Sequence, residues 1–89
     1  MKINVETPSE EKLQELDVRN WPIWTKEVSK FPWTYDDKET CLILEGQVVV
    51  TPEGGEPVEI RAGDFVESPK GMNCTWDIKK DIRKHYRFG

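Results

Sequence analysis

Short β-strand patterns separated by glycine and proline turn signals run through most of this chain and restrict what it can fold into. From residue 23 onward, stretches rich in Val, Ile, Thr and aromatic residues alternate with turn candidates about every 8–12 residues. Composition predicts turns at residues 46, 52–56, 62–64, 69–71 and 80–81. This spacing is typical of an antiparallel β-sandwich or β-barrel.

The N-terminal segment has a different pattern. Residues 2–6 alternate apolar and polar side chains and predict a short strand. Thr7 as N-cap, Pro8 at the first helical position and Glu10 two residues later have the spacing of a capping box. They predict a helix of about two turns over residues 8–16, roughly as long as a short surface helix.

The length of the chain fits one domain, because 89 residues leave no room for a second core. We expect an N-terminal strand and short helix over residues 1–20 and a barrel over residues 21–89. Hydrophobic residues make up only 36% of the chain, so its four Trp, three Phe and two Tyr must supply much of the buried area. Charged residues reach 34%, a composition that also suits a thermostable protein.

Charge and hydropathy restrict the partners. The net charge is −4, and no stripe of Arg and Lys with interleaved aromatics is present, which argues against nucleic-acid binding. No stretch approaches the ~20 apolar residues of a membrane span, and no signal-peptide pattern begins the chain. The sequence predicts a cytoplasmic protein in which Cys41 and Cys74 stay as thiols.

Seven short motifs occur in the order found in one family of β-barrels. They are Phe31-Pro32-Trp33, Glu39, Leu44-Glu45-Gly46, Ala62-Gly63-Asp64, Pro69-Lys70-Gly71, Thr75-Trp76 and Arg83-Lys84-His85-Tyr86. Over about residues 20–88 the chain resembles the cupins, in particular the ethanolamine-utilisation cupin and the cupin domain of ureidoglycine aminohydrolase. The resemblance implies an all-β fold, a small antiparallel, jelly-roll-like cupin β-barrel with a short N-terminal helix.

The same resemblance bears on metal binding. Cupin motifs normally place three histidines and one glutamate around a metal, whereas here Trp33, Tyr35 and Cys74 stand at the histidine positions and only Glu39 remains. We therefore expect no metal site and no cofactor. A zinc site that uses Cys41 with Cys74 and Glu39, or a manganese site, stays open as an alternative.

Alternation along the last strand predicts a lysine inside the barrel. Ile82, Lys84, Tyr86 and Phe88 share one face, and three of the four are apolar or aromatic, so we assign that face to the interior. His85, on the opposite face, is then predicted to be a surface residue. An unpaired buried ammonium is costly, so Lys84 requires a counter-charge unless it reaches the rim.

The resemblance to the cupins implies that Trp33, Tyr35, Glu39 and Cys74 point into the barrel mouth, so Glu39 is the nearest candidate for that counter-charge. We predict an interior Glu39–Lys84 pair in a ligand pocket. The ring-bearing walls are expected to be Trp33, Tyr35, Trp76 and Tyr86, with Cys41 and Cys74 nearby. Such a pocket would bind a small polar molecule, with rings supplying contact area and charges fixing orientation.

The sequence favours a small-molecule-binding cupin of unknown substrate, with a metal-independent enzyme on a small polar or anionic substrate as one form of it. The catalytic candidates are Glu39 as general acid or base, Lys84 as electrostatic partner and Cys74 as a thiol, although Cys74 also fits a core position. Two alternatives stay open. One is a metal-using hydrolase related to ureidoglycine aminohydrolase, and the other is a non-catalytic sensor or assembly module.

Three aromatic residues precede or begin the first motif: Trp21, Trp24 and Phe31. On the outer face they would form a patch for a homodimer. Alternatively, they pack against the N-terminal helix. The sequence does not decide between the two.

Overall fold

The computed structural model of the chain describes residues 2–89, and nearly all of its regular structure is β. The strands are β1 (Asn4–Glu6), β2 (Ile23–Lys26), β3 (Ser29–Thr34), β4 (Glu39–Pro52), β5 (Val58–Arg61), β6 (Phe65–Ser68) and β7 (Asn73–Phe88). A helix α1 (Glu10–Glu15) and a 3-10 turn (Val18–Asn20) lie between β1 and β2. No helix in this part of the chain is long and apolar enough to span a membrane.

All strand pairs are antiparallel, and the two long strands β4 and β7 join the two halves of the sheet. One half has the order β1-β6-β4-β7-β2, while β5 pairs with the later part of β4 and β3 with the earlier part of β7. The predicted all-β antiparallel fold with a short helix is confirmed. The predicted barrel is not closed among residues 2–89. The edge strands are only three to six residues long, and the strands at opposite edges of the sheet do not pair with each other.

The predicted turns at residues 46 and 80–81 are wrong, because β4 and β7 run straight through them. Their pairing instead shifts register between Ile43 and Val48, which marks an irregularity of the β-bulge type. Gly46 has φ +104°, and a Cβ atom there would lie 2.3 Å from the Asp81 carbonyl oxygen. Glycine is favoured both in turns and in bulges where two backbones approach closely. Composition alone therefore predicted a turn at a position that forms a bulge.

The helix begins later than predicted. Ser9, not Thr7, is the N-cap, because its backbone is extended and its side-chain oxygen accepts a hydrogen bond from the Lys12 amide at 3.1 Å. Leu13 of α1 and Val18 of the following turn pack on Leu42 and Phe65. The N-terminal segment therefore covers the outer face of the β6–β4 half of the sheet.

The main core lies on the opposite face of the sheet and contains residues from both halves. It is formed by Ile3, Tyr35, Cys41, Ile43, Val48, Val50, Ile60, Val66, Met72, Cys74, Trp76, Ile78 and Ile82. The start of β4 is buried on both faces, since Cys41 and Ile43 point into this core while Leu42 points under α1. Glu39 shares the inward face with Cys41 and Ile43, since side chains alternate along a strand.

Candidate functional site

Glu39 and Lys84 form a buried ion pair, as predicted from the sequence. Lys84 Nζ donates to both carboxylate oxygens of Glu39, at 3.0 Å and 3.1 Å. The side chain of Lys84 is only 4% exposed and that of Glu39 only 6%. Glu39 begins β4 and Lys84 lies in the adjacent part of β7, so the sheet itself brings the two charges together. Two-point contact of this kind satisfies a carboxylate that would be costly to bury alone.

Two indole rings complete the surroundings of the Lys84 ammonium. Nζ lies 4.9 Å from the centroid of the Trp24 ring and 4.6 Å from that of Trp76, within cation–π range. The two indoles meet edge to face, at an interplanar angle of 77°. The cation is therefore held by a carboxylate and by two aromatic rings.

A cavity of about 130 Å³ opens above this ion pair. It is lined by Trp24, Phe31, Trp33, Glu39, Trp76, Lys84, Tyr86 and Phe88. The cavity is smaller than the ~300–1,000 Å³ of most drug-sized ligand sites. Its volume is close to that of the engineered apolar cavity of about 150 Å³ that takes up benzene in another protein.

The rings of the cavity are arranged by cross-strand pairing. Phe31 of β3 lies opposite Trp76 of β7, and their rings are nearly parallel, at 17° with centroids 6.3 Å apart. Trp33 meets the edge of Phe31 at the mouth, where Phe88 meets Tyr86 from the other side. Trp33 and Phe88 are 42% and 45% exposed, so these two large apolar side chains form the rim.

Five of the predicted site residues line this cavity: Glu39, Lys84, Trp33, Trp76 and Tyr86. Three do not, namely Tyr35, Cys41 and Cys74. The Tyr35 hydroxyl accepts a hydrogen bond from Trp76 Nε1 at 3.2 Å and is buried in the main core. Tyr35 therefore supports the wall from behind. Burial and, to a smaller extent, the Glu39 carboxylate raise the pKa of its hydroxyl.

The two cysteines are neutral core residues. Burial raises the pKa of the Cys41 thiol to about 12, and the nearby Lys84 charge offsets this only in part. Burial also raises the pKa of Cys74, whose Sγ is 3.6 Å from the Trp33 carbonyl oxygen and can donate a weak hydrogen bond to it. A reactive thiol needs a lowered pKa, so this geometry gives no support to the predicted role of Cys74 as a nucleophile.

The side chains present do not fit the metal that the cupin motifs normally hold. Within residues 2–89, no three His, Cys, Asp or Glu residues come close enough together to bind a metal ion. Both oxygens of Glu39 contact Lys84, whose positive charge would repel a second cation beside it. Cys41 and Cys74 are held as thiols, whereas a metal binds the thiolate.

Sequence reasoning omitted three of the eight lining residues from the site. Phe88 was assigned to the inner face of the last strand but not to the pocket. Trp24 and Phe31 were assigned either to an outer patch or to packing against the helix, but both line the cavity. Trp24 lies opposite Lys84 and Phe31 opposite Trp76 in the sheet, so each points to the same side as its partner. A correct pairing of β2 and β3 with β7 would have identified them.

The outer side of the same strands holds two further residues. Trp21 packs with Phe65 beside the N-terminal segment, which confirms one of the two alternatives for this residue. His85 is buried, and its Nδ1 lies 2.9 Å from the Trp21 carbonyl oxygen, to which a protonated Nδ1 donates. The prediction of a surface histidine is wrong because the chain at Trp21 covers this part of β7.

Comparison with known proteins agrees with the fold. A solved DUF861 family protein from Thermotoga maritima is 51% identical, with a TM-score of 0.97 over 99% of this chain and 100% of that one. A solved ethanolamine utilization protein Q from Salmonella typhimurium LT2 is 31% identical, with a TM-score of 0.64 over 72% of this chain and 51% of that one.

One curated relative and one family description match the sequence. The acetate kinase EutQ of Salmonella typhimurium is 36% identical over 56 residues, which is 63% of this chain. The matched part is only 24% of the length of EutQ. The description of the EutQ-like cupin domain matches residues 13–86, most of the chain. The chain therefore belongs to the EutQ-like cupin domain family.

Proposed function

We propose that this domain binds a small organic molecule in the aromatic cavity above the Glu39–Lys84 pair. The observation that supports the proposal most strongly is the combination of an open cavity of about 130 Å³ with six aromatic side chains and a fixed ion pair at its base. Aromatic rings supply contact area at a small cost in side-chain entropy, and a few fixed polar groups orient the ligand. The exposed Trp33 and Phe88 at the rim fit a mouth through which the ligand enters.

Binding is better supported than catalysis. A general base needs a carboxylate directed at the substrate, but both oxygens of Glu39 are directed at Lys84. Cys74 is outside the cavity, and its pKa is raised. The catalytic roles of Glu39, Lys84 and Cys74 therefore stay predictions from the sequence. The activity named for EutQ belongs to a protein about four times as long as the matched segment.

Tryptophan side chains offer a direct test of binding. Trp24, Trp33 and Trp76 line the cavity, whereas Trp21 lies on the outer side and donates its indole hydrogen to the Leu16 carbonyl. In a ¹H–¹⁵N spectrum each of the four indole N–H groups gives one signal, which serves as its reporter. We would screen small-molecule fragments against the ¹⁵N-labelled protein and follow these signals. Acetate belongs in the set because of the EutQ relationship.

The expected result is that one or more fragments shift the signals of the three cavity tryptophans and leave Trp21 unmoved. Trp33→Ala should weaken that binding because it removes rim contact area. Val28→Ala, at an exposed position outside the cavity, is the matched control and should bind as the unchanged protein does. A complete fragment set that leaves all three cavity signals in place would contradict the proposal.

A further inference from the structure

The base of the cavity carries two charges that cancel. Lys84 supplies one positive charge and Glu39 one negative charge, and each carboxylate oxygen accepts a hydrogen bond from the ammonium. The rest of the ammonium surface faces the rings of Trp24 and Trp76. Among residues 2–89, no buried side-chain nitrogen or oxygen lacks a hydrogen-bond partner. A ligand therefore has no unsatisfied charge to neutralise here.

An anionic ligand is disfavoured in this cavity. The faces of aromatic rings carry negative electrostatic potential, and six of the eight lining residues are aromatic. A carboxylate that approached Lys84 would also approach the carboxylate of Glu39 and would compete with it for the same ammonium hydrogens. Removing an anion from water without a free partner is costly.

A cationic ligand is disfavoured for a different reason. Aromatic cages normally attract cations, but the Lys84 ammonium already occupies the contact with the Trp24 and Trp76 rings. A second positive charge beside it would be repelled, and the charge of Glu39 is already balanced by Lys84. The site thus contains its own cation and leaves little for another to gain.

The shape of the cavity favours a flat molecule. Six aromatic rings line the cavity, and a planar ligand packs more completely against ring faces and edges than a branched one. The volume of about 130 Å³ accommodates one six-membered ring, with any substituent directed through the open mouth.

We propose that the ligand is an uncharged, planar molecule of about the size of one aromatic or heteroaromatic ring, which carries a polar group able to hydrogen-bond with the Glu39–Lys84 pair. This inference rests on the proposed function and specifies its ligand class. Of the small polar or anionic substrate predicted from the sequence, it keeps the polar form and drops the anionic one, because Lys84 is already paired with Glu39.

Three probes of nearly equal shape separate the charge classes: benzamide is neutral, benzoate is an anion and benzamidinium is a cation at neutral pH. Their dissociation constants for the protein are measured by titration of the cavity indole signals, with Trp21 as internal reference. Benzamide is expected to bind about tenfold tighter than either charged probe. A charged probe that binds as tightly as benzamide overturns the inference, and so does absence of binding by all three.

Variants of the ion pair should reverse the preference in opposite directions. Glu39→Gln leaves the Lys84 charge unbalanced, so the ranking is expected to move toward benzoate. Lys84→Met leaves the Glu39 charge unbalanced, so the ranking is expected to move toward benzamidinium. The double variant restores neutrality and should again prefer benzamide. A ranking that stays the same in both folded single variants overturns the inference.

Folding of each variant is checked from its amide spectrum. If a single variant unfolds, the affinity rankings of the three probes for the unchanged protein and for the double variant decide whether the inference holds.

The proposed function and the ligand class fail by different results. The proposed function fails when the complete fragment set leaves the cavity indoles unmoved. The ligand class fails when fragments do bind there but the charged probes equal or exceed the neutral one.

Discussion

The indole Nε1 of Trp76 donates a hydrogen bond to the Tyr35 hydroxyl at 3.2 Å, which ties a wall of the cavity to a core residue behind it. Tyr35→Phe would leave this buried indole hydrogen without that acceptor, at an expected cost of about 1–3 kcal/mol in the free energy of unfolding. Ligand affinity should change little, because Tyr35 does not line the cavity. Urea unfolding and a fragment titration measure the two effects.

Trp33→Ala provides the opposite case. Trp33 is at the exposed rim of the cavity. Trp33→Ala should therefore lower the free energy of unfolding by less than Tyr35→Phe does, while it weakens ligand binding. If Tyr35→Phe impaired binding more than Trp33→Ala, Tyr35 would have to contact the ligand, contrary to the geometry described above.

The Glu39–Lys84 pair should be costly to break and much less costly to replace. Either Glu39→Gln or Lys84→Met leaves one buried charge without its partner, and we expect a loss of about 3–5 kcal/mol. The double variant removes both charges, so its loss should be far smaller than the sum of the two single losses. Chemical unfolding of the four proteins measures this coupling. Additive losses would mean that the two charges do not depend on each other.

The buried thiols should make stability fall in alkaline solution. A free thiol ionises near pH 8.5, whereas the pKa of Cys41 in the folded protein is raised to about 12. Above about pH 8.5 the unfolded chain loses this proton and the folded one keeps it. Deprotonation therefore favours unfolding, by up to about 1.4 kcal/mol per pH unit for this thiol. Below about pH 8.5 the Cys41 contribution is fully retained.

Unfolding curves between about pH 8 and pH 10 measure this slope. Cys41→Ala should make it shallower, while Cys74, whose pKa is also raised, should account for part of what remains. An unchanged slope in Cys41→Ala would show that its thiol is not shielded in the folded state.

Gly46 and Gly63 provide a matched pair for the bulge in β4. Both have positive φ, at +104° and +95°. An added Cβ meets the Asp81 carbonyl oxygen at Gly46 but has open space at Gly63. We expect Gly46→Ala to cost roughly 3 kcal/mol or more and Gly63→Ala only about 1–2 kcal/mol, because the second substitution adds backbone strain without a clash. Equal losses in thermal or urea unfolding would show that β4 shifts to relieve the contact.

Two sequence signals together predicted the centre of the site. Alternation along β7 has a period of two residues and directed Lys84 inward, while the resemblance to the cupin motifs directed Glu39 inward. The need of a buried ammonium for a counter-charge then paired them. The same reasoning identified Trp76 and Tyr86 as neighbours of this pair.

Features that depend on which strands pair could not be obtained in this way. Trp24 joins the site only because β2 pairs with β7, and Phe31 only because β3 does so. His85 is buried because the chain at Trp21 crosses the outer face of β7. Gly46 gives the same signal in a turn as in a bulge, and the length of β4 decides which of them forms.

The position of the Lys84 ammonium between Glu39 and two indole rings is tested most directly by NMR of the lysine side chains. Protons above an aromatic ring are shifted upfield, so the ε-methylene signals of Lys84 should lie upfield of those of exposed lysines such as Lys30 and Lys70. Its ammonium hydrogens should also exchange slowly with water, because the side chain is only 4% exposed. Signals of Lys84 that coincide with those of Lys30 and Lys70 would contradict the buried ion pair.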